Sequence, residues 1–410
     1  FYENCLDITE IKGIKTKIFH AFLTYTPSSC PKCKCINNGT DDIIKWNFKR
    51  NCKIKITKVC NYNAILLLDK QRFLCKHCNK TFIASSNIVD FHKQISNDTR
   101  TSVILDLMTK DSEKNIAKKN NISTNSVNRI LDSISNDKYV KNNGKLPTSF
   151  GIDEFSATKD TISKMAFIIV NQDTHNIFDI NNSRLSNDIY KYFSRYQRFE
   201  RNKVKFITKD LYKPYYSLMH QLFPKAILIP DRFHIILQIR NALDKTRINL
   251  CKKTNPNYNK LKKYWKLILK NEEDLDKNKK KYSRNFSKEM TQYDIVQYII
   301  NTDGILKYTY NLYQGIIKSI AKRDKNKFLN IIHNVDNKKL NKYSKKAIKT
   351  FLNFENYIIN SFDYELSNGI VEGTNNLIKQ VKHNACGYRK FTHLKARIML
   401  IKGIYNPLNA

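Results

Sequence analysis

The sequence predicts an α/β protein whose core is a mixed β-sheet flanked by helices. Three strand-like segments joined by short polar turns cover residues 150–155, 165–170 and 176–180. Two further strands, at residues 203–208 and 226–230, are separated by a helix that begins near Lys213. A meander of three strands followed by strand–helix alternation is the ribonuclease-H-like order.

Length and charge limit the class of protein to which the chain can belong. The 410 residues are enough for roughly two to four domains. Lys and Arg number 73 against 36 Asp and Glu, which gives a formal net charge of +37. Such a charge attracts polyanions, and nucleic acid is the natural counterion. Coding DNA rich in A and T also favours Lys and Asn, so part of the basicity can be compositional.

Apolar runs and cysteines indicate the compartment. No stretch approaches the roughly 18 to 20 apolar residues that span a bilayer, so no membrane segment is expected. The chain begins at Phe1 without a basic leader or an initiator Met, which suggests a trimmed sequence rather than a secreted protein. Six of the ten cysteines are scattered outside the CxxC pairs, which favours metal binding in a reducing cytoplasm over a disulfide framework.

Two CxxC pairs near the N-terminus predict a zinc site. The four cysteines are Cys30, Cys33, Cys75 and Cys78. Two thiolates separated by two residues can hold one tetrahedral ion, so two such knuckles complete a Cys₄ site. Alternating apolar and basic residues at 53–59 and 72–75 predict short hairpin strands that bring the knuckles together. We expect a zinc-ribbon-like module with a structural Zn²⁺, in which Cys35 or His77 could substitute as a ligand.

Residues 112–134 predict a helix-turn-helix. Apolar residues are spaced for burial between two short helices, at Ile116, Ala117, Ile122, Val127, Ile130 and Leu131. Asn120 and Asn121 tolerate the left-handed backbone of the turn, and Ser123 or Thr124 can cap the second helix. A supporting helix is expected at residues 99–108. An ordinary helical hairpin would show the same pattern.

The second predicted helix carries the candidate DNA-binding residues. Thr124, Asn125, Asn128 and Arg129 would be exposed on it. These residue types read base edges in a major groove or hold phosphates. In so basic a chain, the pattern favours DNA binding.

Carboxylates at strand ends predict a metal centre. Asp153 lies in the first core strand and Asp210 just beyond the fourth, where adjacent strands could hold the side chains close together. Like charges in that position need cations between them, and Mg²⁺ or Mn²⁺ prefers oxygen ligands. Glu372 lies on a late predicted helix, with Asn376 and Lys379 one and two turns further along the same face.

Several phrases resemble the DDE transposases of bacterial insertion sequences, and closely the ISL-three family. These phrases are GIDEFS at 151–156, an aspartate followed by an aromatic residue and proline at 210–214, DRFH at 231–234, EGTNNLIK at 372–379 and GYR at 387–389. The resemblance covers nearly the whole chain. It implies that Asp153, Asp210 and Glu372 form the catalytic triad.

Other residues near these motifs leave alternatives. Asp231 is a rival or auxiliary to Asp210, and His234 could orient a phosphate or simply pack. Glu154 points to the opposite face of the strand from Asp153, which favours a structural role.

The expected domains follow the motifs. They are a zinc-ribbon-like module at residues 1–90, a helix-turn-helix domain at 91–140, the first part of the catalytic core at 148–235, an all-helical insertion at 236–360, and the last part of the core, with Glu372, at 361–410. Residues 135–149 are a predicted linker. The lysine-rich residues 276–284 fit either a solvated surface or one that follows DNA phosphates. A C-terminal helix at 379–402 is expected to pack on the sheet.

The resemblance implies a metal-dependent transposase that cleaves DNA at the ends of an insertion sequence and joins them to target DNA. Its expected partners are the terminal inverted repeats, the target DNA and further copies of the chain in a synaptic complex. We expect a cytoplasmic, nucleoid-associated protein. The alternatives are a transposase-derived DNA-binding regulator without catalysis and a structure-specific nuclease.

Overall fold

The computed structural model describes residues 2–39, 41–135 and 144–404. Contacts divide the chain into two compact units. The first, here called the N-terminal unit, comprises Phe1–Lys141, Ala157–Lys164 and Asn375–Ala410. The second, here called the core unit, comprises Asn142–Ser156 and Met165–Thr374. Most of the predicted linker, at residues 136–143, lies outside the described residues.

A five-stranded sheet opens the N-terminal unit. Its strands are β1 Leu6–Ile11, β2 Ile14–Leu23, β3 Ile43–Val59, β4 Tyr62–Cys75 and β5 Lys80–Ile83. The order is β1-β2-β4-β3, and β5 pairs with β4. Neighbouring strands run antiparallel except for β2 and β4, which are parallel.

The long β3–β4 hairpin carries the second half of the cysteine module. Its two turn residues, Cys60 and Asn61, both have positive φ, as a type I′ turn requires. The sequence predicted only short strands at 53–59 and 72–75, whereas β3 begins at Ile43. Register irregularities at Lys45/Asn47 and Lys49/Cys52 interrupt the alternation of side chains, so the periodic pattern covers only part of the strand.

Three helices follow, α1 Asn97–Leu107, α2 Glu113–Lys119 and α3 Thr124–Ser135. The six apolar residues predicted to pack between the helices of the helix-turn-helix are all buried. Ser123 accepts a hydrogen bond from the N–H of Ser126, which is the cap predicted for the second helix of the pair, and Ser112 caps α2 by accepting one from the N–H of Asn115. Asn121 has a φ of 52°, the left-handed conformation predicted for the turn.

The C-terminal segment differs from the expectation of one helix packed on the core sheet. It forms α15 Gly369–Asn384 and α16 Phe391–Ile401. Ala396 and Leu400 of α16 join the apolar core of α1 to α3. The buried Arg397 guanidinium donates hydrogen bonds to the carbonyl groups of Leu107 and Asp111. These two contacts fix α16 to the helix-turn-helix.

A mixed β-sheet forms the centre of the core unit. Its strands are β6 Ser149–Ser156, β7 Met165–Asn171, β8 Ile177–Asn181, β9 Phe206–Lys209 and β10 Ile227–Pro230, in the order β10-β9-β6-β7-β8. The first three strands are antiparallel neighbours, whereas β9 and β10 run parallel to β6. All five predicted core strands are therefore present. The helices between them are α4 Ser186–Ser194, α5 Arg198–Arg201 and α6 Lys213–Leu222.

A largely helical segment separates β10 from α15. Its helices are α7 Arg232–Leu250, α8 Tyr258–Lys263, α9 Trp265–Ile268, α10 Gln292–Ile300, α11 Gly304–Ala321, α12 Lys325–His333, α13 Lys342–Asn353 and α14 Glu355–Asp363, with a 3₁₀ turn at Glu272–Asp274. The all-helical expectation needs correction, because β11 Lys281–Ser283 and β12 Lys288–Met290 form an antiparallel hairpin. Strands of three residues are too short to show a period of two in a lysine-rich sequence.

One continuous apolar cluster joins the sheet of the core unit to these helices. It runs from Phe150 and Phe167 on the sheet through Leu243 on α7 to Phe351 on α13. The helices therefore pack against the sheet through this cluster, and the packing holds the strand ends in fixed positions. Within the described residues, no helix combines the length and apolarity needed to cross a membrane.

Candidate active site and zinc site

Three aspartates form a row across adjacent parallel strands. In the pairing of β6 with β9, Gly151 lies opposite Thr208, a separation of 57 positions. Asp153 and Asp210 have the same separation, so continuing this register places them level with each other two residues beyond the last pair of the ladder. Pro230 of β10 lies opposite Lys209, which brings Asp231 level with Asp210. Because neighbouring strands are about 4.8 Å apart, the three residues lie side by side.

Asp153 and Asp210 border one cavity of about 360 Å³ in the core unit. Burial and, to a smaller extent, the negative charge of Asp210 raise the pKa of Asp153 to about 6. A hydrogen bond from the N–H of Glu154 to Asp153, 2.7 Å long, acts in the opposite direction. Two crowded carboxylates of this kind favour binding of a cation.

Asp210, Asp231 and His234 form a group with the spacing of metal ligands. One ligand atom from each lies within 4.8 Å of the others. His234 Nε2 is 3.0 Å from Asp210 Oδ1. Burial lowers the pKa of His234, but the hydrogen bond to Asp210 and the charges of Asp210, Asp231 and Asp153 outweigh it, so the pKa is raised.

The Asp231 carboxylate makes structural contacts as well. It caps α7 by accepting a hydrogen bond from the N–H of Phe233 at 3.4 Å, and it accepts another from the N–H of Asn368. It is buried, whereas Asp210 is partly exposed. The Asp210 side chain, which lines the cavity, is thus more available to a ligand there than that of Asp231.

Glu372 lies on the first turn of α15, which is attached to the sheet through Asn368. The Asn368 side chain donates to the carbonyl of Ile152 at 3.2 Å and accepts from the Thr208 hydroxyl at 3.0 Å. The N–H of Glu372 bonds to the carbonyl of Asn368 at 2.9 Å. Glu372 is therefore one helical turn from a contact with the strand that carries Asp153.

The carboxylate of Glu372 is exposed. Among the described residues, neither it nor Asp153 belongs to the close group of Asp210, Asp231 and His234. Asn376 and Lys379 are also exposed and lie further along α15, in the part assigned to the N-terminal unit.

Several further side chains surround the cavity. Glu154, for which the sequence favoured a structural role, forms an ion pair with Arg184 at 2.7 Å and accepts a hydrogen bond from the Tyr215 hydroxyl. Sequence reasoning missed Arg184, Tyr215 and Lys209. Lys209 is 1% exposed, and its ammonium lies 4.0 Å from the centre of the Tyr216 ring. Burial lowers the pKa of Lys209 to about 6, although the charge of Asp210 opposes this shift.

No motif marks Lys209 in advance, because the sequence does not tell which side of a strand end will be covered by aromatic rings. For Asn368, the sequence contained a weak indication of a role at the start of α15. It precedes a glycine at a predicted helix start, where Asn is a common capping residue.

The four predicted zinc ligands come together in the N-terminal unit. All four sulfur atoms lie within 4.8 Å of one another. The Sγ atoms of Cys30 and Cys78 are 3.8 Å apart, and those of Cys33 and Cys75 are 3.7 Å apart. A tetrahedron with Zn–S bonds of about 2.3 Å has an edge of about 3.8 Å, so the cluster has the dimensions of a Zn²⁺ site.

Backbone N–H groups of the first knuckle stabilise a thiolate at Cys30. Burial raises the pKa of Cys30, but hydrogen bonds from the N–H groups of Cys33 and Lys32 outweigh it and lower the pKa to about 7. Cys35 is outside the group of four, and its thiol donates to the carbonyl of Ile36 at 3.5 Å. The residues present therefore fit Zn²⁺ without either of the alternative ligands.

The candidate DNA-binding residues lie on α3. Thr124, Asn125 and Arg129 are exposed, and Asn128 is half-buried. The predicted face of the helix is therefore open to a partner.

Comparison with known proteins gives two findings. The chain is similar to a Lactococcus lactis protein described as an ATP-dependent protease, with 34% identity over 114 residues. That match covers 28% of this chain and 36% of the relative, so the description remains a property of that protein. A family model described as a transposase of the DDE type, ISL3, matches residues 150–398, which include β6 to β10 and all three candidate carboxylates. The chain therefore belongs to the ISL3 family of transposases, the ISL-three family indicated by its sequence motifs.

Proposed function

We propose that the core unit is a ribonuclease-H-like domain that cleaves DNA at the ends of an insertion sequence and joins the freed ends to target DNA. The observation that carries this proposal is the level placement of Asp153 and Asp210 on adjacent parallel strands of a transposase-family chain. The strand order β10-β9-β6-β7-β8 supports the ribonuclease-H-like assignment.

Asp153, Asp210 and Glu372 are the proposed ligands for two Mg²⁺ or Mn²⁺ ions. The raised pKa of Asp153 and its repulsion by Asp210 support this assignment, since a cation would relieve both. Bound ions would activate a water molecule for attack on the phosphodiester and stabilise the departing 3′ oxygen. Glu372, on the exposed start of α15, is suited to close the site around the scissile strand.

Neighbouring residues position these carboxylates. His234, 3.0 Å from Asp210, fixes the orientation of that side chain. Asp231 and Asn368 hold the starts of α7 and α15 beside the strand ends. Asn376 and Lys379 are proposed auxiliary contacts to DNA.

The N-terminal unit is proposed to recognise the terminal inverted repeats. The Cys₄ cluster would hold a structural Zn²⁺, and Thr124, Asn125, Asn128 and Arg129 on α3 would contact the duplex. Pairing two element ends requires a homo-oligomer in the synaptic complex. We place this activity in the cytoplasm, on the nucleoid.

A cleavage and joining assay tests the proposal. The full chain is incubated with Mg²⁺ or Mn²⁺ and labelled duplexes taken from the DNA that flanks the gene. The wild type should nick at the repeat and join the 3′-hydroxyl to a second duplex. Asp153→Asn should bind the same DNA without nicking it.

Two results would refute the proposal. Binding without cleavage by the wild type would indicate a DNA-binding regulator. Cleavage without joining would indicate a nuclease.

A further inference from the structure

A basic cleft in the N-terminal unit is lined by several residues that have no role in the proposed function, beside Arg129 of α3. It lies between β3, the segment before α1, and helices α1 and α3, and its volume is about 700 Å³. Five cationic side chains line it: Lys53, Lys55, Lys93, Arg100 and Arg129. None of the described residues that line the cleft is acidic.

Hydrogen bonds hold the two sides of the cleft in place. The N–H of Lys55 donates to the carbonyl of Gln94 at 2.8 Å, and the N–H of Ser96 donates to the carbonyl of Lys55 at 2.9 Å. The Lys55 ammonium crosses to the helix-turn-helix and donates to the carbonyl of Asn121 at 2.8 Å. The turn before α3 is therefore attached to the sheet, and the cleft exists before any ligand binds.

The positive charges in the cleft are only partly balanced. Lys93 forms an ion pair with Asp90 at 2.7 Å, and Arg100 donates to the Ser133 hydroxyl at 3.2 Å. Within the part of the chain that the structure describes, Lys53 and Arg129 form no ion pair with a carboxylate. Burial lowers the pKa of Lys55, and the charge of Lys53 lowers it further. An anion in the cleft would relieve this repulsion.

We propose that this cleft binds the phosphate backbone of duplex DNA, at two phosphates on the strand that borders the groove contacted by α3. The inference rests on the proposed function for the identity of its ligand. Arg129 belongs to both surfaces, because it is on α3 and lines the cleft. It therefore holds a phosphate, and Thr124, Asn125 and Asn128 are left to contact bases. Lys53 supplies the second phosphate contact from the sheet.

The salt dependence of binding tests this assignment. Each phosphate contact contributes about 0.9 to the slope of log affinity against log salt concentration. Lys53→Gln and Arg129→Gln should each reduce the slope by about 0.9 and weaken binding roughly eightfold at 0.1 M salt. The double variant should lose about 1.8 from the slope. The loss should be equal for the terminal repeat and for an unrelated duplex, since phosphates carry no sequence information.

Fluorescence anisotropy with the full chain measures these slopes, in buffer without chelator, Mg²⁺ or Mn²⁺, so that cleavage is prevented and the structural Zn²⁺ is retained. The matched control is Lys338→Gln/Lys346→Gln, which removes two exposed positive charges from the core unit and should leave the slope unchanged. Lys53→Arg keeps the charge and should restore binding. Acetylation of Lys53 in the wild type should fall when duplex DNA is added, which tests the contact without any substitution.

The outcomes separate this inference from the proposed function. An unchanged slope in the double variant, or acetylation of Lys53 unaffected by DNA, would overturn the cleft assignment while wild-type cleavage still stood. A wild type that binds through the cleft but never cleaves would overturn only the proposed function. If the control variant and the double variant lost the same amount of slope and affinity, the effect would come from net charge alone. That result would also overturn the assignment.

Discussion

Asp153→Asn should make the protein more stable in the absence of Mg²⁺ and Mn²⁺ while it removes catalysis. Burial and the nearby charge of Asp210 raise the pKa of Asp153 from 3.8 to about 6. A raised folded-state pKa means that the ionised acid destabilises the fold. This cost begins as the pH rises above the unfolded value of 3.8, and it is complete above about 6.

The size of the effect follows from the shift. A difference of about two pKa units corresponds to about 3 kcal/mol at neutral pH, because each unit is about 1.4 kcal/mol. Asp153 is only partly buried, so screening by water makes this an upper bound. We expect a gain of about 1 to 3 kcal/mol in the free energy of unfolding, and a rise of roughly 2 to 10 °C in Tm. The Asn side chain oxygen can still accept the hydrogen bond from the N–H of Glu154.

Thermal and denaturant unfolding without Mg²⁺, Mn²⁺ or chelator, at pH values from 4 to 8, measure the change. The gain should vanish near pH 4 and be complete above about pH 6. Added Mg²⁺ should stabilise the wild type by mass action and stabilise the variant much less. Asp173→Asn is the matched control, since that aspartate is exposed on a turn of the same sheet and its replacement should change stability by less than about 0.5 kcal/mol.

Two results would contradict the reasoning. A variant less stable than the wild type at pH 7 without Mg²⁺ or Mn²⁺ would mean that Asp153 is stabilised as an anion by groups other than a metal. Equal stabilisation of both proteins by Mg²⁺ would mean that Asp153 is not a ligand.

Three further predictions concern other parts of the chain. Cys75→Ser should lower the zinc content from about one atom per chain to none, whereas Cys35→Ser should retain it, as elemental analysis would show. Gly151→Ala should destabilise the fold by about 1 to 3 kcal/mol, because an added Cβ would meet a side chain of α15 at 2.5 Å. Gly373 lies on α15 itself, but a Cβ added there would meet no atom within 4 Å. Gly373→Ala should therefore stabilise the fold by up to about 1 kcal/mol, and denaturant unfolding distinguishes this gain from the loss in Gly151→Ala. Asn121→Val should cost about 1 to 2 kcal/mol because of its left-handed φ, and Asn121→Gly should cost less; equal losses would show that the backbone conformation is not the cause.

Local patterns predicted much of the fold. The five core strands, the burial of Ile116 and Val127 in the helix-turn-helix, and the cap at Ser123 follow from periodicity and capping chemistry, which depend on residues close in the sequence. The long β3 strand was predicted only in part, because its register irregularities interrupt the period of two. The packing of α16 on α1 and α3 was missed, since an apolar helix face does not specify its partner.

By itself, the sequence determined the chemical types and the order of the site: carboxylates at strand ends, two CxxC pairs and a capped helix pair. Residue identity and spacing along the chain carry that information. Only the tertiary structure decided that Asp231 joins Asp210 and His234, that Lys209 is enclosed by aromatic rings, and that Lys53 and Arg129 line one cleft. These depend on contacts between segments far apart in the chain, whose register and packing are set by the folded core as a whole.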